Sequence, residues 1–291
     1  LFLANWFVSA RSLLLKNESP AANWLDVSVT RSVSEGKPLN PHAIGAVIRL
    51  TADSVTELDA RHRGAVLVAG SHGGRIAACY ASRAGVHAVI LNDAGIGKED
   101  AGVAGIAALE GIGMAAAAAN CATARIGDGA DTLARGVVSR ANALAAACGV
   151  VPGLPVRDAA VRMTQAPKPR GTLASPGEGR FQLRAVPPEI WALDSVGLAL
   201  PEDAGRVLVF GSHGALHGGR AGSALPVAAR AAALHDAGAR AEDLTRLPVL
   251  AARGLPTVAV SSASARIGEA RSMWESGVLS HVNAPAAALG A

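Results

Sequence analysis

Two stretches of the chain, within residues 64–147 and 205–283, alternate short apolar runs with helical segments, and the first shows the pattern more clearly. Residues 65–69 form a continuous apolar run that is typical of a strand buried on both faces, and two further strands are predicted at 86–91 and 114–119. Three further segments have helical composition: 75–84, 101–110 and 132–147. Because short glycine turns join them, this order of strands and helices predicts a parallel sheet with right-handed crossovers.

An internal repeat relates the two stretches. Three pairs of segments align at an offset of 141 residues: 64–73 with 205–214, 122–127 with 263–268, and 136–142 with 277–283. The first pair is identical at eight of ten positions and the second at five of six. Such blocks at one spacing predict two copies of one unit, and we expect 64–142 and 205–283 to superpose about a pseudo-twofold axis. The second copy predicts a third strand at 257–260, but 215–226 predicts a loop or short helix.

The predicted fold class is therefore α/β, with two homologous parallel-sheet units. The repeat and the composition divide the chain into four parts: an N-terminal extension (1–40), a first α/β repeat (41–150), a proline-rich connector (151–190) and a second α/β repeat (191–291). The first eight residues are apolar, but no positively charged region precedes them. They make a poor signal peptide.

Composition narrows the class of partner. Half of the residues are hydrophobic and only 3% are aromatic, which excludes a disordered chain and an aromatic platform for single-stranded nucleic acid. The net charge of +4 arises in the flanks 1–50 and 151–190 and forms no basic stripe, so we expect no nucleic-acid partner. No apolar run is long enough for a membrane span, so we expect no membrane partner. Three cysteines without CxxC spacing argue against disulfides and structural zinc, and favour a cytoplasmic setting.

Polar residues follow the first predicted strand of each copy. In an open parallel sheet, ligands bind outside the carboxyl ends of the strands. Each first strand ends in Gly-Ser-His-Gly, where the serine is a candidate nucleophile or oxyanion donor and the histidine a candidate acid or base. The flanking glycines let backbone N–H groups converge on an anionic substrate. These candidates are Gly70, Ser71, His72 and Gly73 in the first copy, and Gly211, Ser212, His213 and Gly214 in the second.

The other repeated polar residues are candidates for orienting and clamping a substrate. Asp93 and Asp236, which align at an offset of 143, follow the second strand of each copy and could orient a catalytic group. Arg125 and Arg266 could hold a carboxylate in a two-pronged contact. Each motif also has a structural interpretation. Gly-Ser-His-Gly could be a tight turn, the aspartates could cap helices, and the arginines could form structural ion pairs.

The two copies differ at several chemically active positions. The second alone holds His217 and His235, which with His213 and Asp236 form a set that could bind a divalent metal, although the spacing matches no known ligand signature. A hydrogen-bonded histidine cluster is the alternative. The first copy alone holds Asn92, Lys98 and Cys121; the last aligns with Ser262, which disfavours chemistry based on two thiols.

These patterns predict an enzyme that acts on a small polar or anionic metabolite in a cleft between the two halves, with a hydrolase favoured. An isomerase, a lyase or a non-catalytic small-molecule binding protein are the alternatives. Because the halves differ, we expect one composite site rather than two equal ones. No nucleotide-cofactor motif is present, and the sequence does not identify a cofactor. A homo-oligomer is compatible with the sequence.

Overall fold

The computed structural model describes residues 2–3, 14–15 and 49–291. Phe2–Leu3 (β1) and Leu14–Leu15 (β2) form a short antiparallel pair. Apart from these four residues, the predicted N-terminal extension lies outside the described residues. No helix in the described part of the chain is both long and apolar enough to cross a membrane.

The first sheet has five strands, in the order β3-β4-β5-β6-β7. The first four are parallel and β7 is antiparallel to β6. The strands are Arg49–Ala52 (β3), Val66–His72 (β4), Ala88–Asn92 (β5), Ala115–Ala119 (β6) and Val138–Ala141 (β7).

Helices cover both faces of this sheet. They are Arg75–Ala84 (α1), Ala104–Glu110 (α2), Gly129–Arg135 (α3), Ala143–Ala147 (α4) and Val156–Met163 (α5). Alternate strand residues face opposite sides: Leu67 packs in the cluster with α1 and α2, whereas Val66 packs in the cluster with α4 and α5. This two-sided burial explains why the strands are continuous apolar runs. The helix α1 has the predicted bounds and ends at Gly85, whose φ of 71° is left-handed.

The second sheet has six strands, in the order β13-β12-β11-β10-β9-β8. The strands β9 to β12 are parallel, and the edge strands β8 and β13 are antiparallel to their neighbours. The strands are Arg180–Arg184 (β8), Ile190–Leu193 (β9), Val207–His213 (β10), Ala231–His235 (β11), Thr257–Val260 (β12) and Leu279–Val282 (β13). The fold is thus α/β with two mixed, mostly parallel sheets. The predicted strands are parallel, and the edge strands β7, β8 and β13, which were not predicted, are antiparallel.

The second sheet carries fewer helices. They are Arg246–Ala252 (α6), Ala270–Ser276 (α7) and Ala284–Ala287 (α8). Where the first sheet has α1, the chain after β10 forms only two 3₁₀ turns, His217–Gly219 and Ala221–Ser223. The prediction of a loop or short helix over 215–226 is confirmed.

The predicted helix over 132–147 is wrong, because a strand interrupts it. Helix α3 ends before Gly136, where a Cβ would lie 2.4 Å from the carbonyl oxygen of Thr132 and 2.9 Å from a methyl carbon of Val156. The chain then runs extended as β7 until Asn142 starts α4 by accepting the amide of Ala145. Helical composition concealed these two breaks.

The segment predicted as a connector contributes to both sheets. Its helix α5 is buried against the first sheet through Val156, Ala160 and Met163. Its strand β8 extends the second sheet, and Phe181 packs beside that sheet's core. Residues 151–190 are therefore structural rather than a free linker.

The two sheets meet at the carboxyl ends of their strands. Gly95, after β5, lies against Gly238, after β11: a Cβ on Gly95 would be 2.9 Å from the Cα of Gly238. The amide of Lys98 donates to the carbonyl oxygen of Ser262 at 2.8 Å. Five buried residues from both sides form a small apolar cluster there: Ala94, Ile126, Ala215, Ala237 and Ile267. We call this contact region the junction.

We expect Gly70→Ala to destabilise the fold. A Cβ at Gly70 would lie 2.2 Å from the amide nitrogen of Asp128, a backbone atom that cannot move aside freely. Overpacking of this kind should lower the free energy of unfolding by about 1–3 kcal/mol, measured by denaturant titration. Gly222→Ala is the control, because no atom lies within 4 Å of its Cβ position. Equal stability of the two variants would contradict the packing described here.

Candidate functional site

The repeated histidines both reach the junction. His72, the last residue of β4, faces the second half: its Cε1 lies 3.7 Å from a Cβ position on Gly268. His213, the last residue of β10, faces the first half, with its Cε1 3.3 Å from a Cβ position on Gly127. The structure therefore brings the two predicted acid/base residues into one region.

Hydrogen bonds from the backbone fix the tautomer of both rings. The Nδ1 atom of His72 accepts the amide of Gly74 at 3.1 Å, and the Nδ1 atom of His213 accepts the amide of Ala215 at 3.3 Å. A backbone N–H can only donate, so each neutral ring carries its proton on Nε2. Burial, and secondarily the nearby His235, lowers the pKa of His72 to about 4. Burial and Arg246 lower the pKa of His213 well below its usual range. Both rings are neutral hydrogen-bond donors at neutral pH.

The repeated serines are bound to backbone rather than to histidine. The hydroxyl of Ser71 accepts the amide of Val55 at 3.0 Å, and the hydroxyl of Ser212 accepts the amide of Val196 at 3.0 Å. Within residues 49–291, neither hydroxyl makes a hydrogen bond to an imidazole. The structure thus shows no serine–histidine pair of the kind that activates a nucleophile.

The repeated aspartates close turns and cap no helix. One oxygen of Asp93 accepts the amides of Gly95 and Cys121 at 3.0 and 2.9 Å. The same oxygen of Asp236 accepts the amides of Gly238 and Ser262 at 2.9 and 2.8 Å. Each turn holds an alanine in the left-handed region, with φ of 49° at Ala94 and 56° at Ala237. These carboxylates hold strained backbone at the junction in place.

The repeated arginines form ion pairs. Arg125 contacts Asp131 at 2.9 Å. Arg266 contacts Glu269 at 2.7 Å and, across the junction, Glu99 at 3.0 Å. Both guanidinium groups therefore already have carboxylate partners, as the structural interpretation predicts.

The four motif glycines allow close backbone contact. Gly73 and Gly214 donate their amides to the last residues of β5 and β11, at 2.7 and 2.8 Å. Gly70 and Gly211 lie against the backbone of the loops that precede α3 and α7. Each glycine thus has a packing role at the strand end.

Asn92 and His235 are different residues that make equivalent hydrogen bonds at the ends of β5 and β11. Asn92 accepts the amide of Ala94 at 2.9 Å and donates to the carbonyl oxygen of Ala124 at 3.0 Å. His235 accepts the amide of Ala237 through Nδ1 at 2.9 Å, and its Nε2 lies 3.1 Å from the carbonyl oxygen of Ala265. Burial lowers the pKa of His235. A neutral imidazole and an amide therefore do the same work at the two strand ends.

The other residues specific to one half also lie at or near the junction. The Nζ atom of Lys98 donates to the hydroxyl of Ser276 at 2.9 Å, and the Sγ atom of Cys121 lies 3.3 Å from the carbonyl oxygen of Gly238. Burial, reinforced by Asp93, raises the pKa of Cys121 to about 12, so its thiol stays protonated. The ring of His217 stacks at a tilt on that of His213, with centroids 5.8 Å apart.

Within residues 49–291, no three His, Cys, Asp or Glu side chains are arranged to hold a metal ion. The set that could bind a metal consists of His213, His217, His235 and Asp236. Of these, His235 already binds backbone through both ring nitrogens, and Asp236 does so through a carboxylate oxygen. Their geometry matches the hydrogen-bonded alternative to a metal centre.

Sequence reasoning missed Arg246. It is the first residue of α6, it is 1% exposed, and its Nη1 donates to the carbonyl oxygen of His213 at 3.0 Å. It lies outside the aligned blocks, and nothing in the local sequence indicates that an arginine is buried there.

Two surface cavities, of about 380 and 410 Å³, lie away from the junction. Residues 226–228 line both, and the first also involves Arg253 and Leu255. They are at the amino ends of β11 and β12, and neither contains a predicted site residue. A pocket lined by the repeated polar residues stays a prediction.

No protein-family model matches the chain, and comparisons with curated proteins and with solved structures also gave no match.

We expect His235→Asn to be tolerated and His235→Leu to be costly. Asparagine can supply both the acceptor for Ala237 and the donor for Ala265, as Asn92 does in the first sheet. The Asn variant should stay within about 1 kcal/mol of wild type, whereas leucine should cost about 1–3 kcal/mol for each backbone group left unpaired. Denaturant unfolding measures both. Equal losses would contradict the shared role.

We also expect the fold to lose stability in mild acid. Four histidines, His72, His213, His217 and His235, have folded pKa values lowered from 6.5. The unfolded chain therefore takes up protons first, and the free energy of unfolding falls as pH drops from 6.5 towards 4, by up to about 1.4 kcal/mol per pH unit for each histidine. The free energy of unfolding of His235→Asn should depend less steeply on pH than that of wild type. The other titrating groups are the same in both proteins, so their contributions cancel in the comparison. Identical slopes would be evidence against a lowered pKa at His235.

Proposed function

We propose that the chain is an enzyme that acts on a small anionic metabolite at the junction between its two halves. The observation that carries this proposal is the pair of neutral imidazoles, His72 and His213, which both reach the junction with Nδ1 occupied by backbone and Nε2–H left to donate. Such donors stabilise negative charge that develops on a substrate oxygen.

The proposal includes an origin by duplication, with the halves related by a pseudo-twofold axis. The strand orders support it: β3-β4-β5-β6-β7 in the first sheet corresponds to β9-β10-β11-β12-β13 in the second, with the last strand antiparallel in both. The matched hydrogen bonds of the repeated serines, aspartates and histidines also support it.

Hydrolysis is the reaction that we favour, with water rather than serine as the nucleophile. Both serine hydroxyls accept a backbone amide, and neither makes a hydrogen bond to an imidazole in the described part of the chain. The role left to the histidines is to donate Nε2–H to the carbonyl oxygen, which takes up the electron pair of the C=O bond when water attacks the carbon. The proton released by that water passes through solvent to the leaving group. Isomerase or lyase chemistry through an enolate would use the same donors.

A single composite site belongs to the proposal. Each histidine lies against a glycine of the other half, so a substrate at the junction would contact both halves. The surroundings of the two rings differ: Arg246 and His217 help to lower the pKa of His213, whereas the pKa of His72 is lowered by burial and His235 alone. A reducing, cytoplasmic setting is also part of the proposal, and the three free thiols support it.

A non-catalytic binding protein is the second candidate. One observation favours it: the aspartates and arginines expected to orient and clamp a substrate are engaged in turns and ion pairs. Binding without turnover would require only the imidazole donors.

We expect His72→Ala and His213→Ala to lower turnover more than binding. Alanine removes the Nε2–H donor from the junction. A panel of carboxylate-bearing esters and amides, assayed for hydrolysis, identifies a substrate. Each variant should then lose at least tenfold in kcat, about 1.4 kcal/mol of barrier, and the two losses should differ.

His235→Asn is the matched control, because it replaces an imidazole whose two nitrogens are both engaged with backbone. It should keep wild-type turnover. Wild-type kcat in both junction variants would contradict the enzyme proposal. If each variant instead lost about half of the wild-type kcat, two independent sites would be indicated and a composite site contradicted. Binding of panel compounds with no turnover by wild type would favour the second candidate.

A further inference from the structure

Arg246 is a buried positive charge that lacks a counter-ion in the described part of the chain. Its side chain is among the largest fully buried ones, at 1% exposure. Burial lowers its pKa to about 10, so the guanidinium stays charged at neutral pH. No carboxylate among residues 49–291 lies within ion-pairing distance of it. A buried charge without a partner strongly disfavours folding, so this arrangement needs a reason.

The guanidinium is only partly hydrogen-bonded. Its Nη1 donates to the carbonyl oxygen of His213 at 3.0 Å, whereas its Nε is buried without a partner. Nη2 makes no hydrogen bond to a described residue either. The Nε–Nη2 edge is the one that binds the two oxygens of a carboxylate or phosphate in parallel.

The carboxylates near His217 make no ion pair with Arg246. Asp53 and Glu57 both pair with Arg220 instead, the former at 2.8 Å. Arg246 contributes to the lowered pKa values of His213 and His217, which are both neutral at pH 7. A neutral imidazole donates a hydrogen bond without supplying negative charge.

The space for this side chain exists only in the second half. The amide of Arg246 donates to Gly214 at 2.8 Å, as the amide of Gly105 does to Gly73 at 2.9 Å in the first half. At Gly105 a Cβ would lie 2.6 Å from the Cβ of Ala78 in α1. The loss of α1 in the second half, where 3₁₀ turns replace it, makes room for an arginine at the equivalent place.

We propose that Arg246, together with His213 and His217, binds the oxyanion group of the substrate, a carboxylate or a phosphate. This inference rests on the proposed function, whose substrate class it specifies. Arg246 supplies the charge and a two-pronged edge, the Nε2–H of His213 supplies a further donor, and the half-buried ring of His217 lies against that of His213. The clamp predicted at Arg125 and Arg266 is thus assigned to a different arginine.

The test compares thermal unfolding in inorganic phosphate and in acetate, at constant ionic strength, for wild type, Arg246→Met and Arg246→Lys. Methionine has a similar length and no charge. We expect wild type to be stabilised by at least one of the two anions, with Tm rising by about 3 °C for each tenfold increase above Kd. The anion that acts at lower concentration identifies carboxylate or phosphate as the ligand group.

Arg246→Met should lose this response and should be at least as stable as wild type in anion-free buffer, because a buried charge without a partner has been removed. Arg246→Lys should respond at least tenfold more weakly than wild type, because lysine has no two-pronged edge. The control is Arg253→Met, at the end of the same helix, whose exposed guanidinium binds carbonyl oxygens; it should keep the full response.

Three results would overturn the inference: a wild-type Tm unmoved by both anions, an unchanged response in Arg246→Met, or an Arg246→Met protein less stable than wild type without anion. The last would show a purely structural arginine. These readouts need no turnover. If wild type responds to an anion but hydrolyses no substrate, the Arg246 site is supported and the enzyme proposal is contradicted. If Arg246→Met hydrolyses substrate with an unchanged KM, the enzyme proposal is supported and the Arg246 site is contradicted.

Discussion

Backbone amides at the carboxyl ends of the strands need hydrogen-bond acceptors, and this requirement organises the junction. The turns after β4, β5, β10 and β11 are buried where the two sheets meet, so water cannot satisfy their N–H groups. Short side chains do so instead. Asp93 and Asp236 each accept two amides, and His72, His213, Asn92 and His235 each accept one. The left-handed alanines and the contact between Gly95 and Gly238 depend on these bonds.

This requirement changes the chemical meaning of the repeated motifs. A residue that accepts a turn amide has a structural reason to occur in both halves, which accounts for the aspartates and the serines. The histidines differ from the aspartates and serines, because a neutral imidazole that accepts at Nδ1 also presents a hydrogen-bond donor at Nε2. Where that donor meets a carbonyl oxygen, as at His235, the ring is structural. At His72 and His213 the ring reaches the junction and no described residue accepts a hydrogen bond from Nε2, so the proposed chemistry begins there.

Much of the fold could be predicted from the sequence, since periodicity reports burial directly. Helix α1 and strand β12 have their predicted bounds, and alternate burial of Leu67 and Val66 explains the apolar run in β4. The break at Gly136 was hidden, because it depends on Val156, which lies 20 residues further along the chain. The site was less predictable for the same reason. Arg246 is unremarkable in the sequence, and its burial depends on the absence of a helix that the other half retains.

The central claim is that the junction histidines are neutral and carry their proton on Nε2. Long-range ¹H–¹⁵N correlation spectra of ¹⁵N-labelled protein at pH 7 measure this directly, since the two nitrogens of each ring have distinct shifts in each tautomer. Single His→Asn variants assign the signals. We expect the Nε2–H pattern at His72, His213 and His235. An Nδ1–H pattern at any of them, or the averaged shifts of a ring that titrates near its ordinary pKa, would contradict it.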